Sequence, residues 1–405
     1  MQAVATQSKR TTEVNESQVE SLLKMAQNTV SRGDMPSVQV AVAHHGALVA
    51  FETYGEVTCR GESSVATNDT LYVAFSTTKA VVSIATWLLM EDGKLKPSDE
   101  VSKIIPGFVK GGKGSITVEH LLTHTAGFPR APFSVPEWED KAARHNRFES
   151  WTTQWEPGSR FVYHANASMW ALAQIIEAQS GMDYRQFIRS RITAPLGLDD
   201  LHIGLSAGEH HRVADIKHVG TPPEPAMMKQ MGLDPDKFKN VSQEQWLSQF
   251  DRADFRTTGA PGSGGIMTAA SLALFYQGVL GHLTMPDGKT LLKPSTVQQG
   301  LQVRTHDLKD PMTGQPAGRS LGLVIAGGQD KVFRGFAPGH SDQAFGHPGA
   351  GGQVGWADPH TGLSFALLTN GLERNPLQLG MRAMSFSNQA TGCIEPSKIS
   401  QETRV

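Results

Sequence analysis

The sequence predicts an α/β fold: one antiparallel sheet built from both chain ends and flanked by helices, with a mostly helical lobe inserted. Three observations predict it. Residues rich in β-formers cluster in the first 75 positions and return in the last hundred, and helical periodicity dominates the stretch between. The chain length of 405 residues suits a single large two-lobed molecule with a cleft at the junction.

The elements follow in chain order. After a tail of residues 1–16, Ser17-Gln18-Val19-Glu20 reads as a capping box, and Val19, Leu22, Leu23, Ala26 and Val30 form an apolar stripe that ends near Arg32-Gly33. Residues 37–55 hold two strands around a His45-Gly46 turn. A short strand over 71–75 runs into a helical pattern from Ser76 to Met90, stopped by Asp92-Gly93. A short helix is expected over 117–123, and one or two longer ones over 169–192. Between them, residues 127–158 read as a loop carrying Phe128, Phe133, Trp138, Trp151 and Trp155, and a second weakly periodic segment spans 217–262. Long stretches without regular structure usually line or cover a site, so 127–158 is expected to form a pocket wall and 217–262 a cap. Strands are expected over 320–327, 343–347, 351–358 and 362–369, and Asn375-Pro376 opens a closing helix. The predicted division is a sheet lobe of 17–75 plus 316–405 and a helical lobe of 76–315.

Composition narrows the functional classes. Hydrophobic residues make up 39% and charged residues 19%, enough for a sizeable core. The formal net charge is −2 with no basic cluster, which argues against nucleic acid or an anionic membrane as partner. The two cysteines, Cys59 and Cys393, do not make a disulfide scaffold. No stretch approaches the roughly 20 apolar residues of a membrane span, and the N-terminus lacks the apolar core of a secretory signal. A cytoplasmic protein acting on a small molecule is expected. The oligomeric state is not legible.

The chemistry centres on Ser76-Thr77-Thr78-Lys79. An S-x-x-K sequence alone is weak, and Ser21 to Lys24 supplies a second copy inside an amphipathic helix. Context separates them. Ser76 stands where a strand enters a helix, among unpaired N–H groups at the positive end of the helix dipole. Lys79 lies one turn on, along the same face. A serine needs a neighbouring base to become a nucleophile, and a lysine serves only when neutral, which burial favours. Three further segments join it: Leu121 to Gly127 (LLTHTAG), Pro157 to Ala165 (PGSRFVYHA), where Tyr163 offers a second base, and Phe345 to Gly352 (FGHPGAGG), whose backbone offers an oxyanion donor.

This ordered set, with the PLGLD at 195–199, resembles the serine β-lactamase-like superfamily, especially its family VIII carboxylesterases, over about residues 20 to 375. The resemblance implies that Ser76 is acylated, that Lys79 and Tyr163 act together as base and acid, and that the N–H groups of Ser76 and Ala350 form the oxyanion hole. It places His347-Pro348-Gly349 where class C β-lactamases read Lys-Thr-Gly. Their Tyr-x-Asn reads Tyr163-His164-Ala165 here, so an amide and a lysine that serve β-lactam recognition are both replaced. Neutral, apolar carboxylic esters are the expected substrates, bound near His347, Gly349, His164, Phe128, Trp138, Trp151 and Trp155. Acyl transfer to an alcohol, amide hydrolysis of the β-lactamase or D-aminopeptidase type, and a catalytically silent scaffold are the alternatives.

Competing motifs fail on context. Gly204-Leu205-Ser206-Ala207-Gly208 matches a nucleophile elbow, but a turn precedes it and Glu209-His210-His211-Arg212 follows. His120 and His124 have i, i+4 spacing without the glutamate of a zinc site. Neither a metal nor a nucleotide cofactor is expected.

Overall fold

The computed structural model describes residues 12–222, 224–230 and 248–396. In chain order the strands are Thr12–Val14 (β1), Ser37–His44 (β2), Ala47–Cys59 (β3), Glu62–Val65 (β4), Tyr72–Val73 (β5), Leu201–Ile203 (β6) and Lys217–Val219 (β7). There follow Gly265–Met267 (β8), Val324–Ile325 (β9), Phe345–Gly346 (β10), Val354–Asp358 (β11), Leu363–Thr369 (β12), Gly371–Glu373 (β13) and Ile394–Pro396 (β14). Among the described residues, seven of them form one antiparallel sheet in the order β4-β3-β2-β12-β11-β10-β9. The seam between chain ends is β2 on β12, in register from His44–Leu363 to Val38–Thr369.

Side-chain alternation explains why β2 and β12, at the centre of this sheet, are buried on both faces. Val38, Val40 and Val42 of β2 and Leu363, Phe365 and Leu367 of β12 pack into one apolar layer, with the helices Glu16–Ser31 (α1) and Pro376–Thr391. Ala41, Ala43, Ala366 and Leu368 face the other layer, where the helix Ala269–Val279 lies flat. Small residues permit that close approach. A Cβ on Gly355 would sit 3.0 Å from Leu272 and Tyr276 atoms. Gln277 of this helix donates to Ala43 O (3.1 Å) and to Ser364 Oγ (2.8 Å). The helix was expected in the inserted lobe; here it packs on the sheet.

Other expectations shift locally. The N-cap of α1 is Asn15, whose side chain accepts from Gln18 N–H, while the Ser17 hydroxyl donates to Asn15. Asn caps as well as Ser does, and β1, pairing with β14 within the expected tail, delivers the chain to it. The 127–158 segment is not a plain loop, since it holds Val135–Glu139 and Lys141–Ser150. Of the 217–262 segment, β7 and the helices Pro225–Gln230 and Ala253–Thr258 are described, and positions 223 and 231–247 lie outside the described residues. Cys59 and Cys393 are free thiols. Among the described residues no helix is long and apolar enough to cross a membrane.

Candidate active site

The helix Thr78–Glu91 (α2) begins in a turn that its own threonines hold. β5 pairs with β8, Ala74 N–H donates to Gly265 O (2.8 Å), and the chain then enters a 3-10 turn over Phe75–Thr77. Phe75 has φ +46°, a conformation that bulky residues rarely adopt. Thr77 Oγ1 donates to Ala74 O (2.8 Å), Thr78 Oγ1 donates to Phe75 O, and Gly265 N–H donates back to Thr78 Oγ1 (2.9 Å). The Phe75 ring packs edge-on against Phe250 at 4.8 Å. From Leu71 to Leu89 every residue is buried except Ser76, which is half-open. The strained turn therefore leaves one hydroxyl partly exposed from an otherwise closed segment.

Lys79 is 1% exposed, and its Nζ donates to Gly262 O (2.6 Å) and reaches Ser76 Oγ at 3.1 Å. It also stands 5.1 Å from the centre of the Tyr163 ring. Burial holds its pKa below that of a free lysine; the Tyr163 phenol pulls the other way, and the Arg319 guanidinium adds to the lowering. A proton-accepting amine is thus closer to reach at neutral pH than in solution.

Tyr163 is not in a helix. It lies in the irregular approach to Ala167–Ser180, held by the turn after Val118–Leu122. There His124 adopts φ +60°, its ring lies 4.7 Å from that of Tyr163, and its Nδ1 accepts from His164 N–H (3.3 Å). Val162 N–H donates to His124 O (3.2 Å) and Gly158 N–H to Thr125 O (2.9 Å). The LLTHTAG and PGSRFVYHA segments are one hydrogen-bonded unit that aims the phenol. His164, fully buried, is part of it: its Nδ1–H donates to Val162 O (2.6 Å) and its Nε2 accepts from Phe128 N–H (3.1 Å). Burial holds its pKa at about 4, so His164 is a neutral brace and the substrate-contact expectation for it is corrected. His120 closes the start of its short helix, accepting from Thr117 N–H at 3.2 Å.

The third wall follows β10. Gly349 N–H donates to Gln353 O (2.8 Å), and a Cβ on Gly349 would lie 2.7 Å from Ala74 O. This turn therefore touches the turn that carries Ser76 directly, with Ala350 half-exposed beside it. Gln353, 1% exposed, clamps the two: its Nε2 donates to Val73 O (3.0 Å) and Thr369 O (2.8 Å), and its Oε1 accepts from Thr369 N–H (2.9 Å). His347 is buried with its ring 6.0 Å from that of Tyr163, and Nδ1–H donates to Pro348 O (2.8 Å). Burial above all, then Arg319 and Lys79, hold its pKa well below the usual histidine value. It brings no positive charge.

Two further groups at this site escaped sequence reading. Gln353 stood in a glycine-rich stretch with no signal of its own. Arg319 carries its guanidinium 5.6 Å from the centre of the Tyr163 ring.

The aromatic wall is a correction. Phe128, Trp138 and Trp151 are at most 2% exposed and join Phe108, Phe133, Phe148 and Trp170 in a core of stacked and edge-on rings. Trp151 Nε1 donates to Pro132 O (2.8 Å), and Arg144 caps the Trp138 ring at 4.3 Å. Rings this large gain more from each other than from an open cleft, so they fold back as scaffold. Trp155 alone of the three tryptophans stays half-buried, 6.4 Å from His164. Trp138→Ala or Trp151→Ala should cost about 3–5 kcal/mol and lower the melting temperature. KM should change alike for small and bulky esters. An unchanged melting point with a rise in KM for bulky esters alone would restore the pocket reading. Ser206 lies exposed just ahead of a 3-10 turn, away from any strand-to-helix elbow.

A serine at a strained strand-to-helix turn, a buried lysine against its hydroxyl, and a braced tyrosine beside that lysine define a serine hydrolase of the penicillin-recognising class. The chain belongs to the Beta-lactamase family, whose model matches residues 22–383. It is 26% identical over 314 residues to the Esterase/beta-lactamase LipL of Mycobacterium tuberculosis, covering 75% of this chain and 70% of that protein. A crystal structure of a penicillin-binding protein homologue from Caulobacter crescentus superposes with a TM-score of 0.74 at 26% identity, over 93% of this chain and 99% of that one. A family VIII carboxylesterase structure gives the same TM-score and coverage at 22% identity, a likeness of fold.

Proposed function

We propose that the protein cleaves carboxylic esters through an acyl-enzyme on Ser76. The observation that carries this reading is the 3.1 Å approach of a fully buried lysine to the one half-open residue of the 71–89 segment. Ser76 Oγ attacks the ester carbonyl while its proton passes to the Lys79–Tyr163 pair. The N–H groups of Ser76 and Ala350 receive the oxyanion, each donor lowering the barrier by about 3 kcal/mol. The alcohol leaves with a proton from the same pair, and water then repeats the attack on the acyl group. A cavity of about 190 Å³, lined by Phe133, Asn166, Trp170, Phe255 and Ser263 among others, lies one residue along the chain from Gly262, whose carbonyl Lys79 holds, and we assign a short acyl group to it.

Esters are favoured over lactams because position 165 is an alanine and offers no amide to a lactam side chain. The neighbouring Asn166 is turned toward Ser263, whose hydroxyl donates to it (3.2 Å). Turnover of short p-nitrophenyl esters is therefore expected to exceed that of nitrocefin in kcat/KM. The reverse order would make the protein a lactam hydrolase.

A further inference from the structure

We propose that Phe250 is a positioning residue for Ser76: its ring braces Phe75 in the left-handed conformation that sets the place of the reacting hydroxyl. The proposal rests on Ser76 as nucleophile. It starts from a conformation that needs support. Phe75 directly precedes Ser76 and has φ +46°. A bulky residue there is strained and stays only where its surroundings over-determine it. Within the turn, the Phe75 carbonyl accepts from Thr78 Oγ1. Beyond the turn, the residue is held through its buried ring. That ring meets Phe250 edge-on, with centroids 4.8 Å apart. It also lies against the turn that carries Ala350, where a Cβ on Gly351 would stand 3.6 Å from it. One side chain thus links Phe250 to both turns that offer an N–H to the oxyanion.

A brace works only if it is itself fixed, and Phe250 is. It is fully buried in the 3-10 turn Ser248–Asp251, and its ring meets that of Phe255 at 4.5 Å. Its carbonyl accepts from Arg256 Nε (3.2 Å). The buried Arg256 guanidinium also donates through Nη2 to Asp251 Oδ1 (3.0 Å) and Asp215 Oδ1 (3.1 Å). Asp215 is bonded to the main sheet: its N–H donates to Thr58 O of β3 (2.7 Å). Its carbonyl accepts from Asn370 Nδ2, just past the end of β12 (3.0 Å). Charge-assisted bonds of this kind are short and directional, and breaking a buried set is costly. Contact therefore runs from the sheet through Asp215, Arg256 and Phe250 to Phe75, and stops one residue short of Ser76.

Burial alone does not call for this arrangement, since a phenylalanine with ordinary backbone angles fills a core as well. What the contact supplies is direction. A change of φ at position 75 redirects the residue that follows, and Ser76 Oγ then leaves its 3.1 Å approach to Lys79 Nζ. Displacements of about 1 Å at a reacting group can cost about 10²-fold in rate. Phe250 acts on the reaction through Phe75 and touches no reacting atom.

The test is a double-mutant cycle over Phe250→Leu and Phe75→Gly. Two rates are read: kcat/KM for a short p-nitrophenyl ester, and the second-order rate of phosphonate labelling at Ser76. Both are expressed per site that the phosphonate titrates at completion, so unfolded molecules do not count. Phe250→Leu should lower both rates by the same factor, about tenfold or more. A glycine takes a positive φ without strain, so the brace becomes dispensable in Phe75→Gly. In that background Phe250→Leu should change either rate by less than about twofold, whatever level Phe75→Gly itself sets. If Phe250→Leu does not fold, Phe250→Met, whose flexible chain adapts to the space, takes its place in the same cycle. Equal losses in the two backgrounds, or wild-type rates per site in Phe250→Leu, overturn the proposal while labelled Ser76 stands. If wild type takes no label at Ser76, the nucleophile reading falls, and the brace with it.

Discussion

Replacing Ser76 by alanine is expected to abolish ester turnover and labelling by a serine-directed phosphonate while leaving the melting temperature within about 2 °C. Only a hydroxyl is lost. The turn around it is held by Thr77, Thr78 and Gly265, none of which binds the Ser76 side chain. Wild type should take one phosphonate adduct, located at Ser76 by peptide mapping. Substantial activity in purified Ser76→Ala, or loss of activity in Ser206→Ala instead, would sink the assignment. A protein that has the fold but no chemistry would take no adduct at all.

The second large effect concerns the base. Lys79→Ala and Tyr163→Phe should each lower kcat/KM by about 10²-fold or more, the usual scale of general-base catalysis. Their pH profiles carry the sharper information. Burial lowers the Lys79 pKa from 10.5, so the neutral amine that accepts a proton becomes available at lower pH than in a free lysine. Activity should therefore climb with pH as Lys79 deprotonates. The same shift ties stability to pH: between the lowered folded value and 10.5 the unfolded chain binds the extra proton, so the fold gains stability as pH rises through that window. His124, His164 and His347 do not generate the rising limb at neutral pH, because burial already keeps all three neutral there. Lys79→Arg, which keeps a permanent charge, should lose the limb together with the activity. If the limb survives Lys79→Arg and disappears in His347→Gln, the base is the histidine.

Ser76, Lys79 and Tyr163 were legible because each sits in a local pattern. A strand signal precedes Ser76, one helical turn separates it from Lys79, and a Pro-Gly turn introduces the tyrosine. The main sheet was legible for a related reason: alternation along β2 and β12 is short-range, and the two runs are alike. What stayed hidden depends on long-range approach. Nothing near Arg319 in sequence says that its guanidinium will overlie Tyr163, and nothing near Gln353 says that it will bridge Val73 and Thr369.

The aromatic segment failed differently. Its helix signals were present, since Ser134 and Glu137 form a capping box and Asp140 caps the next helix, accepting from Ala142 and Ala143 N–H groups. With those two short helices in place, Trp138 and Phe148 share an inward face. Reading the stretch as loop left Phe128, Trp138 and Trp151 free to point at a cleft, whereas all three are buried in the core.

The closed run from Leu71 to Leu89 has a consequence for inactivation. Its residues lie in the largest apolar cluster, so the segment that carries Ser76 and Lys79 cannot open on its own. Amide exchange should be slowest there, at the level set by global unfolding rather than by local fraying. Heat or denaturant would then remove activity and structure in one event. The surroundings of Ser76 and Lys79 are then expected to be lost only together with the rest of the fold.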